Sequence, residues 1–97
     1  MNSVTNVNGT ERAKIFEALF TSPGMNETCK IVLNPSRQTI LLLSRMIEHG
    51  MEAMKEERGD ELLLHVPVES INDLKVVMEE MLKRGGLVEF YDRLKKL

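Results

Sequence analysis

The sequence predicts a small α+β domain, mostly helical, in the order helix, strand, helix, strand, helix, helix. A long central helix would lie beside a two-stranded sheet, with an all-helical fold as the alternative. Three observations carry this. From Asn34 to Arg58, Ile40, Leu43, Ile47, Met51 and Met54 recur at spacings of three and four, as the apolar face of a helix does. Just before it, Cys29, Ile31 and Leu33 alternate with Lys30 and Val32; just after it, Leu62, Leu64, Val66 and Val68 alternate with Leu63, His65 and Pro67. A strand, a long helix and a second strand favour a parallel pair joined by a right-handed crossover.

Taken in order, residues 1–9 carry no charge and no apolar period, and read as a disordered arm ahead of one compact domain over 10–97. A first helix runs from about Thr10 to Thr21, with Ile15, Phe16, Leu19 and Phe20 as a double stripe and Asn8 or Thr10 as its cap. Ser22-Pro23-Gly24 ends it. Thr28–Leu33 is the first strand. Asn34 or Ser36 caps the central helix, Pro35 suits its first turn, and Gly59 stops it. Gly50 sits inside, at a cost of about 1 kcal/mol relative to Ala, which the helix formers after it absorb; the helix is continuous, with room for a bend there.

The second strand, Glu61–Val68, ends or lies at an edge because Pro67 has no N–H for a ladder. Ser70-Ile71-Asn72-Asp73 resembles a capping box with Asp in place of Glu, and opens a helix that runs to Arg84. Its interior positions are Ile71, Leu74, Val77, Met78, Met81 and Leu82. Gly85-Gly86 breaks it, and a last helix sets Leu87, Phe90, Tyr91, Leu94 and Leu97 on one face.

Composition sets the frame. Ninety-seven residues with 42% hydrophobic and 29% charged side chains suit one folded domain. Only 4% are aromatic and none is Trp, so Leu, Ile, Val and seven Met must fill the core. A net charge of −2 argues against nucleic acid or an anionic membrane as the main partner. Charge is unevenly spread: Glu48–Glu61 carries a net −4, whereas Lys83, Arg84, Arg93, Lys95 and Lys96 leave Lys83–Leu97 at +3. These read as two solvated faces that attract weakly, with the five bases as a candidate basic surface. The lone Cys29 excludes an intrachain disulfide, residues 1–12 lack a signal-peptide pattern, and the longest apolar runs are too short for a bilayer. A cytoplasmic protein is expected.

Motifs that carry chemistry are scarce. Cys29 with His49 or His65 has no spacing typical of a thiol–imidazole pair, and Cys29 reads as a small core hydrophobe. Glu48, His49 and Glu52 are close on one helix, but a dimetal site wants Glu-x-x-His on two helices; these three read as a solvated acidic face. There is no phosphate loop and no nucleophile elbow. Met46, Met51, Met54, Met78 and Met81 could line an adaptable groove, and more simply fill the core. Lys30-Ile31-Val32-Leu33 ahead of a capped helix resembles in outline a ribbon–helix–helix repressor. A single basic residue on the strand, the longer helix and the further strand depart from that pattern, so the chain is not assigned to that family.

These readings point to a non-catalytic protein-interaction or self-association module with no catalytic, cofactor or metal site, and with a DNA-associated regulator acting as a dimer as the alternative. Leu62, Leu63, Leu64 and Val66, apolar on both faces of one strand, are the candidate self-association edge. A homodimer is the expected state, a protein partner a further possibility, and a membrane is not expected.

Overall fold

The computed structural model describes residues 9–58 and 60–97. Among them five helices form: α1 (Gly9–Phe20), α2 (Arg37–Lys55), α3 (Glu61–Leu64), α4 (Val68–Arg84) and α5 (Val88–Lys95), with no strand. The α+β expectation is therefore overturned and the all-helical alternative holds. Of the expected N-terminal arm only Gly9 is described, as the first residue of α1, and Gly59 also lies outside the described residues.

Both strand assignments fail for physical reasons. Over Glu61–Leu64 the chain makes one helical turn, because the Asp60 carboxylate accepts the Leu62 N–H at 2.8 Å and Leu and Glu favour helix. Val66 and Pro67 then link α3 to α4. The run Leu62–Leu64 with Val66 is thus not a sheet edge. Thr28–Leu33 has no regular secondary structure and is exposed, and no backbone hydrogen bond joins residues 28–35 to another described residue. With its expected partner helical, it has nothing to pair with. Cys29, read as a core residue, is exposed.

The long helix forms as its periodicity requires, though shorter than expected. Ser36 is its N-cap, accepting the Thr39 N–H at 3.1 Å, so Pro35 lies outside the helix. The helix passes through Gly50 and ends at Lys55. Glu57 takes the left-handed conformation (φ 55°), with Arg58 N–H bonded to Ala53 C=O at 2.8 Å and Glu57 N–H to Met54 C=O at 3.1 Å. That is a Schellman closure, normally the place of a glycine. The end of α4 uses the same closure with the usual residue: Gly86 has φ +68°, and Leu87 N–H reaches Leu82 C=O at 2.8 Å. The expected capping box at Ser70 is not used; α4 starts at Val68 behind Pro67, and Ser70 donates its N–H to the Pro67 carbonyl.

The core lies where α2 crosses α4, with α5 folded back over it. Ile40, Met78, Leu82 and Tyr91 are its buried apolar residues, flanked by Leu41, Ile47, Met81, Leu87 and Leu94. At the crossing sits Ser44, 0% exposed, its hydroxyl donating to the Ile40 carbonyl at 2.8 Å. A small residue that satisfies its own polar atom lets the two helices approach closely. Gly85 is tight for the same reason, since a Cβ there would lie 3.1 Å from Ile40 Cδ1. α1 stands apart, held to the α3 region by an ion pair of 2.7 Å between Arg12 and Glu61 and by Phe16 stacked on His65 with ring centres 5.0 Å apart.

Candidate interaction surface

The most organised polar group in the molecule ties α2 to α5. Glu48, read from sequence as part of a solvated acidic face, instead faces the core edge. Its Oε1 accepts the Tyr91 hydroxyl and its Oε2 lies 3.1 Å from Lys95 Nζ, with Arg45 Nη1 at 3.9 Å. Lys95 also sits 5.7 Å from the centre of the Tyr91 ring, within cation–π range. Burial pushes the Glu48 carboxyl up, but the bonds from Tyr91 and Lys95 and the charge of Arg45 outweigh it and leave the group below its ordinary value. Burial raises the Tyr91 hydroxyl, and its bond to Glu48 raises it further. The network therefore keeps the proton on Tyr91 and the charge on Glu48 near neutrality.

Beside this network a groove of about 630 Å³ runs between α2, α4 and α5, floored by Met78, Leu82 and Tyr91 and rimmed by Lys55, Lys75 and Glu79. Its charges are mixed. Among the described residues no cluster of three potential metal ligands forms, and His49 and Glu52 do not join Glu48 in one. Cys29 is exposed, and His65 is engaged with Phe16 and the Glu61 carbonyl.

The five expected basic residues occupy the last turn of α4 (Lys83, Arg84) and the last turn and C-cap of α5 (Arg93, Lys95, Lys96). Arg84 pairs with Glu80 at 2.8 Å and Lys95 with Glu48, so two of the five are drawn toward carboxylates. The acidic and basic segments do meet, at Glu48 and Lys95.

Apolar side chains left in solvent are the larger feature. Leu62, Leu63 and Leu64 are each about two-fifths exposed, apolar as expected but on a helical turn. Ile31, Val32 and Leu33 are 70–74% exposed along the irregular segment ahead of α2. On the side of α2 turned away from α4, Leu42 is 52% and Met46 69% exposed, and with Arg45, His49 and Gly50 they line a shallow cleft of about 360 Å³. Of the expected methionine set, Met78 is buried and Met51, Met54 and Met81 are half-buried, so Met46 alone of the five is fully on the surface.

Sequence reasoning missed the outer face of α2, although Leu42, Met46 and Gly50 recur every four residues. No family model, curated protein or solved structure matches the chain. No helix among the described residues is long and apolar enough to cross a membrane.

Proposed function

We propose that the chain is a non-catalytic self-association module that works as a two-fold homodimer. The observation that carries the reading is the set of large apolar side chains left in solvent on the outer face of α2, on α3 and at residues 31–33. Scattered apolar residues are normal on a surface. Among the described residues, a core of four buried apolar side chains is not matched to nineteen large hydrophobics left in solvent. Two-fold pairing closes such a surface, whereas open-ended pairing would lead to aggregation. Leu62, Leu63 and Leu64 support the reading as exposed apolar side chains and no longer as a strand edge.

Light scattering after size exclusion tests it. A mass of twice 11.1 kDa at micromolar protein, falling toward the monomer on dilution, is expected. A mass that stays at the monomer value over a hundredfold range, up to millimolar protein, sinks the proposal.

A further inference from the structure

We infer that the second copy docks on the outer face of α2, in an antiparallel helix pair whose two-fold axis passes at Met46. This rests on the self-association proposed above and names its surface. Three observations lead to it.

The first is the stripe itself. At 100° per residue, Thr39, Leu42, Met46, Gly50 and Ala53 fall within about 40° of one line along α2, and that line lies opposite Ile40 and Ser44, which face α4. The α2 helix therefore carries two apolar faces, of which the chain covers one. Only a helix partnered on both sides has a use for both.

The second is fit. Leu42 and Gly50 are each four residues from Met46, about 6 Å along the axis in opposite directions. An antiparallel two-fold at Met46 therefore sets Leu42 of one copy level with Gly50 of the other, twice over. The largest projection on the stripe meets its largest gap. A Cβ built on Gly50 meets no atom within 4 Å, so nothing in its own chain accounts for a glycine at this point of a helix. A parallel pair would set leucine against leucine and glycine against glycine, and would pack neither.

The third is charge. Within α2, Arg45 and Glu52 lie on the same flank of the stripe, about 100–120° from its line. Antiparallel pairing brings that flank of the two copies together, sets Arg45 of one toward Glu52 of the other and opposes the helix dipoles favourably. Parallel pairing sets the two flanks on opposite sides of the pair.

Two variants test the geometry, each made with Cys29→Ser so that the exposed native thiol takes no part. Met46→Cys places a thiol beside its own copy at the axis, and mild oxidation should convert most of the protein to a disulfide dimer. Val76→Cys, on the exposed side of α4, should give little. Gly50→Leu fills the gap that Leu42 needs, and should raise the dimer dissociation constant at least tenfold. It also replaces the poorest non-proline helix former with a good one, so a loss of dimer cannot be put down to a loss of helix. Circular dichroism should show the helix content unchanged or higher. If the wild type is a dimer, yet Met46→Cys fails to cross-link and Gly50→Leu leaves the dissociation constant unchanged, this face is wrong while self-association stands. If the wild type is a monomer throughout, both fall.

Discussion

The Tyr91 hydroxyl donates a hydrogen bond to Glu48 Oε1, joining α5 to α2 across 43 positions of sequence. Tyr91 is 2% exposed, so its ring fills the core while its oxygen reaches a carboxylate at the core's edge. One side chain thus closes the helical unit by packing and by a charge-assisted bond.

Tyr91→Phe keeps the ring and removes the bond. Hydrogen bonds to charged groups contribute about 1.5–3 kcal/mol, and Lys95 remains on Glu48, so a loss near the lower end is expected. Urea midpoints at one protein concentration measure it. An unchanged midpoint would show that the hydroxyl contributes nothing.

The same pair sets the pH dependence. Glu48 is held below its ordinary value of 4.5, so its contribution is present above the unfolded value and is lost as pH falls through the folded one. Tyr91 is held above its ordinary value of 10.0, so its contribution is present below that value and is lost as pH rises through the folded one. Stability should fall at both ends. Glu48→Gln should flatten the acid limb below about pH 4.5, and an acid limb as steep as wild type would remove Glu48 from the account.

The two left-handed helix ends predict opposite responses to exchange with glycine. Glu57→Gly relieves a side chain at φ 55° and should stabilise by about 1 kcal/mol. Gly86→Ala places a Cβ at φ +68° and should destabilise by about as much or more. Thermal melts of both decide it; the same sign for the two would show that backbone conformation is not the controlling factor.

Ser44 and Gly85 predict what the α2–α4 crossing tolerates. Ser44→Ala removes a hydroxyl bonded only within its own helix, and should cost well under 1 kcal/mol, because neither partner is left buried without an alternative. Ser44→Leu forces the helices apart and should cost about 1–3 kcal/mol or more. Gly85→Ala should fall between them, since Ile40 Cδ1 can move a few tenths of an ångström. A tolerated Ser44→Leu would mean that the crossing is loose.

How far the sequence could be read depended on the range of the interactions involved. The period of α2 and α4 is local, so Ile40, Ile47, Met51, Met78 and Leu82 were legible as inward positions. Leu62–Val66 was not, because a short apolar run fits a strand and a helical turn equally, and the Asp60 cap that decides it depends on one carboxylate. Thr28–Leu33 was not legible either, because a strand needs a partner and periodicity names none. Ser44 escaped because a count of apolar residues passes over a small polar one that bonds to its own helix. Glu48 escaped because Tyr91 and Lys95, which draw it to the core edge, lie more than forty residues away.

The slight attachment of α1 has a consequence for the amide protons of the chain. An exposed ion pair contributes about 0–1 kcal/mol, and one ring stack about 0.5–1.5 kcal/mol beyond its area. Arg12–Glu61 and Phe16–His65 therefore hold Gly9–Phe20 far less firmly than the crossing holds α2. Solvent deuterium should enter α1 through sub-global opening, well before it enters the segment around Ile40 and Ser44, which exchanges only when the whole fold comes apart.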